Sequence, residues 1–344
     1  MIRMPSLVSI LALALTGTAG LWACQADTPP PSIQSKDAPA DSTQPASNGA
    51  PAAAVDEGQG RSRFGRVFQA RKDVAADAKL MKQLEQARAA AEASPDDPEA
   101  LIWYGRRLGY LWRMREAIAV YTKGIQKWPD NAAFYRHRGH RYISVRAFDK
   151  AVADLQRASE LIRGKDDVVE QDGMPNARNI PLSTLGFNIY YHLGVAHYAM
   201  GDYHASILAF KQAMIFGRKY ADNVVACIDW CYLANIQIGR PTRAEKLLSV
   251  VNANMEIIEN HAYFKRVMVY KGLMKFEEVW KEGDNELQGL TLGYGLARWL
   301  MYQGREEEAK SMLRRLIASE YWPAFGVVAA EAEWDKMKTS WGKP

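Results

Sequence analysis

Cysteine is scarce in this chain, with three residues in 344. They stand at positions 24, 227 and 231, so there is no CxxC pair and no Cys/His ligand set for zinc. An excess of one charge is missing too. The 44 basic and 39 acidic residues leave a net +5, too small and too dispersed for the dense basic face that nucleic acid requires. The one basic cluster, RSRFGRVFQARK at 61–72, carries Arg61, Arg63, Arg66, Arg71 and Lys72. It reads as a solvated lead-in to the folded part, with contact to anionic lipid or polymer as the alternative. No GxSxG elbow, P-loop, GxGxxG or HExxH motif occurs. Glu306, Glu307 and Glu308 lie together at a helix start, where negative charge suits the amide-rich end, so they read as a solvated face. Long apolar runs are lacking as well. The longest, near the N-terminus, is too short and too interrupted by Gly and Thr for a lasting membrane span.

That N-terminal stretch, MIRMPSLVSILALALTGTAGLWAC, has a basic start at Arg3, an apolar run and small residues before a cysteine. It reads as a secretory signal over 1–23. Its end, LWAC, resembles the lipobox of bacterial lipoproteins: Leu21 stands three before the cysteine and Ala23 immediately before it, while Trp22 departs from the usual small residue. The resemblance implies that Cys24 becomes the first mature residue and carries lipid; the alternative is ordinary cleavage near 19–23 and a free soluble protein. Gln25 follows, with no Asp to resemble an inner-membrane retention signal, so the expected location is the outer membrane, facing the periplasm. Residues 24–72 are expected to be a disordered tether. Its stretch 25–60 is rich in Pro, Ala, Ser, Thr and Gln and has too little apolar surface to offset ordering entropy. Cys227 and Cys231 share a helical face, which aims poorly for a disulfide, and read as two core thiols.

What the chain does have is a period. Gly105 and Gly139 are 34 apart, as are Ala117 and Ala151, Tyr121 and Leu155, Gly124 and Ala158, and Pro95 and Pro129. Small residues recur where paired helices touch, and large ones recur between them. A cleaner copy, YHLGVAHYAMGDYHASILAFKQAM at 191–214, resembles the tetratricopeptide repeat (TPR) in Leu193-Gly194, Tyr198, the Gly201-Asp202-Tyr203 turn, Phe210 and Ala213. Ser206 stands where Ala is usual. Further units place Gly239 with Ala244, and Gly304 with Ala309. Residues 256–283 match poorly, and 164–182 is an insertion containing Gly and two prolines, Pro175 and Pro181. The resemblance covers about 75–320. It implies an all-α, right-handed αα-superhelix, a TPR solenoid with a concave groove and a C-terminal capping helix, over residues 73–336 with a tail at 337–344.

Along the first helix of each unit, Arg106 and Tyr110, Arg136 and His140, Asn188, Tyr191 and Tyr198, and Asp229 keep 3–4 spacing. The resemblance places this stripe in the groove, as the candidate partner-binding face. Arginine offers planar donors and tyrosine a rigid ring with a polar tip, which suit an extended peptide or an acidic polymer end. Some TPR proteins clamp a terminal carboxylate with Lys and Asn. The matching positions here hold Ile102 and Arg106, so that clamp is not carried over. His137 and His140 share roughly a face without a carboxylate at helical spacing, and His192 and His197 are five apart, so no metal set is expected and no cofactor is implied. His137 reads as the more peripheral of its pair. The expected function is a non-catalytic adaptor that binds an envelope protein or peptide and meets the membrane through lipid at Cys24. The competing classes are an envelope enzyme or metal-dependent hydrolase on a helical-repeat scaffold, and a purely structural lipoprotein.

Overall fold

A computed structural model describes residues 58–71, 78–280 and 287–344. The expected signal segment 1–23, Cys24, the tether as far as residue 57 and the start of the repeat domain at 73 lie outside them. A short hairpin comes first, β1 (Gly60–Arg61) and β2 (Val67–Phe68), followed by a leading helix α1 (Ala78–Ala93). Helical hairpins then follow: α2 (Pro98–Tyr110) with α3 (Met114–Lys127), α4 (Ala132–Ser144) with α5 (Phe148–Leu161), and α6 (Leu185–Met200) with α7 (Tyr203–Gly217). Next come α8 (Ala221–Gln237) with α9 (Pro241–Leu248), and α10 (His261–Tyr270) with the single turn α11 (Phe276–Val279). The last pair, α12 (Leu287–Tyr302) and α13 (Glu306–Ala318), precedes α14 (Phe325–Trp341).

Local chemistry sets the boundaries. Asp97, Asn131, Thr184 and Asp202 each accept a backbone N–H at the start of α2, α4, α6 and α7, satisfying donors that the first turn leaves unpaired. Gly201, Gly239 and Gly304 take positive φ after α6, α8 and α12, the left-handed stop that a missing Cβ permits. The 34-residue period is a packing period. A Cβ on Gly105 would strike the Tyr121 ring, one on Gly139 the Leu155 side chain, and one on Gly194 the Phe210 ring. Ala117, Ala151, Ser206, Ala244 and Ala309 are all fully buried, where only a small side chain lets two helices approach. The result is the expected all-α repeat superhelix.

Two boundaries differ from expectation. The basic stretch is more than a solvated lead-in, because residues 58–71 form a strap against the helical turns, with Arg61, Arg63 and Arg66 still exposed. Phe68 is 1% exposed and stacks on Trp322 at 4.5 Å. The Arg63 guanidinium donates to the Ala199 carbonyl and Asp335, and Arg66 donates to the carbonyls of Ile317, Ala318 and Ser319 at the end of α13. These arginines cap helix ends, where carbonyls lack partners. The residues expected to form a tail continue α14 to Trp341, whose indole N–H donates to Glu306 and whose ring packs edge-on against Trp334.

α14 does more than cap α12 and α13. It also reaches back to α6 and α4. Arg146, with φ 66° where later turns use glycine, pairs with the fully buried Glu331 of α14 at 2.7 Å and lies over the Phe68 ring at 4.4 Å. Trp112, 34 residues earlier and also at positive φ, packs on Tyr321 and Trp322. Left-handed backbone costs a residue with a Cβ about 1 kcal/mol, and here it aims two large side chains at the strap and the α13–α14 turn.

Candidate functional site: the concave face

The inner face divides into a closed part and a covered part. In the closed part, α6 has twelve of its sixteen residues buried and α8 thirteen of seventeen, so neither helix has a solvated side. Three residues of the expected groove stripe face the protein's own helices there. Tyr198 shares a 2.8 Å hydrogen bond with Tyr294 of α12. The Tyr191 hydroxyl meets that of Tyr263 at 2.8 Å and accepts from the Trp230 indole. Asp229 is fully buried and pairs with Arg266 of α10, whose Nε donates to Oδ1 at 2.8 Å. The winding of α8, α10 and α12 against one another turns this part of the inner face into core. Tyr191, Tyr198 and Asp229 are therefore packing residues.

The covered part lies on α2 and α4, under the 164–182 insertion. Arg106 donates to the Gln171 carbonyl at 2.6 Å and to the Tyr110 hydroxyl, while its guanidinium lies 4.1 Å from the Trp103 ring. Arg107 donates to the Gly173 carbonyl at 2.9 Å. Gly173 rests on Tyr110 so closely that a Cβ would lie 1.9 Å from the hydroxyl. Arg136, 7% exposed, pairs with Glu170 at 2.8 Å. Asn188 donates to Ser183 at the root of the insertion. Three of the expected residues, Arg106, Tyr110 and Arg136, thus converge under the insertion, with His140 beside them against His192 and Phe325 and Asn188 at the margin.

Burial and excess positive charge shape the electrostatics. Arg136 donates to Nδ1 of His137, and Arg141 to Nδ1 of His140, both at 2.8 Å. A guanidinium can only donate, so both ring nitrogens accept and both imidazoles are neutral. The Nδ1 of His192 lies 2.5 Å from the Asn188 carbonyl and must carry the proton there. Burial first, then neighbouring arginines, hold His137, His140 and His192 well below the usual histidine range. His137 is 3% exposed, the more deeply placed of its pair, and stacks on Tyr121. Burial raises the carboxyls of Glu99 and Asp172 against the opposing pull of Arg106. Arg136 Nε, Arg141 Nε and Glu170 Oε2 are buried without a hydrogen-bond partner among the described residues.

Arg107, Arg141, His192, Glu170 and Phe325 belong to this region and escape sequence reasoning. Arg107 adjoins a stripe residue, a usable signal. Glu170 sits in an aperiodic insertion and Phe325 reaches His140 and His192 from the C-terminal helix, so neither has one. Among the described residues no three His, Cys, Asp or Glu side chains gather as metal ligands. The two remaining thiols, Cys227 and Cys231, are free and buried.

No family model and no curated protein sequence matches the chain. Solved structures do. A tetratricopeptide repeat protein from Parabacteroides merdae is similar over 76% of this chain and 95% of its own, with 14% identity and a TM-score of 0.43. YrrB, described as a TPR protein with an unusual peptide-binding site, is similar over 74% of this chain and 98% of its own, with 14% identity and a TM-score of 0.38. TTC0263, a TPR protein of Thermus thermophilus, covers 57% of this chain and 94% of its own length, with 14% identity and a TM-score of 0.39.

Proposed function

We propose that this protein is a non-catalytic interaction scaffold of the bacterial cell envelope, held to the outer membrane by lipid on Cys24, with its partner on the concave side of α2 and α4. One observation carries the reading. Arg106 and Arg107, edged by Trp103 and Tyr110, already hold an extended backbone through its carbonyls. Guanidinium donors that bind main-chain oxygen, beside aromatic area, form a surface for a peptide or protein segment. The ionisable groups beside them are committed to one another: Arg136 to Glu170, and two neutral histidines to arginines. No nucleophile–base pair is assembled there.

Anchorage is tested by metabolic labelling with a palmitate analogue, which should mark the wild type and not Cys24→Ser. Recognition is tested by crosslinking in intact cells, followed by affinity measurement with the partner so identified. Arg106→Ala should weaken that affinity at least tenfold, about 1.4 kcal/mol. Unchanged affinity in the folded variant would move the contact to the convex helices or the segment before residue 58.

A further inference from the structure

The insertion touches the arginine face in an unusual manner. Its outgoing limb, residues 168–173, offers that face two carbonyls, Gln171 and Gly173, the Glu170 carboxylate on Arg136, and the Asp172 carboxylate on the Arg106 side. Its apolar side chains point the other way. Val168, Val169 and Met174 are 61%, 50% and 62% exposed. Apolar burial therefore adds little to its attachment, in contrast to the strap at Phe68. The return limb is different: Leu182 is buried and its carbonyl accepts from Asn223. The two limbs meet through the Val169–Thr184 bridge and the backbone hydrogen bonds of Glu170 to Ser183 and Leu185 to Val168.

The fit of the outgoing limb is also incomplete. One carboxylate serves Arg136 while Arg141, buried beside it, meets only His140 and the Met114 sulfur. Arg136 Nε, Arg141 Nε and Glu170 Oε2 have no partner among the described residues. Buried donors left unpaired favour any ligand that reaches them. Glu99 and Asp172 approach from the Arg106 side, so Arg136 and Arg141 share a single carboxylate, Glu170.

We propose that residues 168–173 are a built-in competitor, occupying a site whose exchangeable ligand is an extended acidic peptide with neighbouring carboxylates. The first carboxylate replaces Glu170 on Arg136, the next reaches the Arg141 side, and main-chain carbonyls replace those of Gln171 and Gly173. The proposal rests on the scaffold reading of the concave face and adds the ligand's chemistry and its control.

The test uses the full chain and fluorescein-labelled octaglutamate, with octaglutamine as control, read by fluorescence anisotropy. Glu170→Gln removes the carboxylate that the competitor places on Arg136, and Gly173→Val forces the limb off Tyr110. Each should bind octaglutamate at least tenfold more tightly than the wild type, with octaglutamine bound by none. Hydrogen exchange gives a second readout, one that a merely structural loop would not move. The amides of Glu170 and Leu185, paired to Ser183 and Val168, should lose protection when octaglutamate saturates the wild type. Should Gly173→Val fail to fold, Glu170→Gln and the exchange measurement decide. Equal affinity in wild type and folded variants, unchanged protection under bound peptide, or equal binding of octaglutamine would overturn the proposal. If these fail while Arg106→Ala still weakens the crosslinked partner, the scaffold reading stands and only the displaceable competitor is lost.

Discussion

The two parts of the inner face are built from the same hairpins and end in opposite states. On α6, α8, α10 and α12 the inward side chains are Tyr191, Tyr198, Trp230, Tyr263 and Tyr294, joined hydroxyl to hydroxyl and ring to ring. Every polar tip finds a partner from the same chain, so aromatic bulk is buried without leaving unmet donors. On α2 and α4 the inward side chains are mainly arginine and histidine, and part of their hydrogen-bonding capacity is unmet. Closure by self-complementary residues gives up a binding surface, whereas a charged face under a polar cover keeps one. On the proposed reading, recognition belongs to the first two hairpins, and rigidity to the later ones.

The sharpest way to break the closed half is at its buried charge pair. Arg266 is 1% exposed and Asp229 fully buried. Arg266→Leu would strand a carboxylate in the core and should destabilise the protein by about 3–5 kcal/mol. Asp229→Leu with Arg266→Leu should recover much of that loss, because no unpaired charge remains. Urea unfolding of the three proteins checks both statements; a single variant within 1 kcal/mol of wild type would show that the pair does not hold α8 to α10.

The strap comes next in size. Phe68→Ala removes a ring stacked on Trp322 and should cost about 3 kcal/mol. It should also expose residues 58–71 to limited proteolysis while leaving the α6–α8 core intact. Cleavage no faster than in wild type would mean that Arg63 and Arg66 suffice to dock the strap.

These two predictions also show what can be read from the sequence. The hairpin interfaces are visible because Gly105 and Tyr121, or Gly194 and Phe210, repeat a local spacing that close packing requires. The closure is hidden. Arg146 stands where a turn glycine is expected, and its partner Glu331 is 185 residues away. The stripe fares in between. Helical spacing shows that Arg136 and His140 share a face, and it puts Tyr198 and Asp229 on the same stripe. It does not show that Glu170 covers Arg136, that His192 and Phe325 cover His140, or that Tyr294 and Arg266 cover Tyr198 and Asp229, because those contacts come from the winding of the described helices.

Acid should act on the histidines around Arg136 and Arg141. His137, His140 and His192 are neutral in the fold, with their protonation held below the ordinary 6.5. Unfolding lets them take up protons near that pH, so their contribution is fully present above about 6.5 and is lost as pH falls below it. The expected slope is about 1.4 kcal/mol per pH unit for each histidine that titrates. Protonation would set an N–H against the guanidinium of Arg136 or Arg141. Stability measured from pH 7.5 to 5 should fall, and His140→Gln should flatten the fall. An unchanged slope in that variant would leave the acid response to other groups.

The smallest effect on stability is expected at the residue with the largest expected role in binding. Arg106 is half-buried, and it holds the Gln171 carbonyl and a Tyr110 hydroxyl that solvent can replace. No carboxylate depends on it as Glu170 depends on Arg136. Arg106→Ala should therefore cost less than about 1 kcal/mol, the usual net worth of one such hydrogen bond. Arg136→Ala should cost more, because Glu170 would keep a largely buried charge without its guanidinium. The two single variants, unfolded in urea under the same conditions, separate an arginine that holds a carbonyl and a hydroxyl from one that neutralises a largely buried carboxylate. Equal losses would mean that the outgoing limb of the insertion is as integral to the protein as the strap, and that the covered half is closed in the same sense as its neighbour.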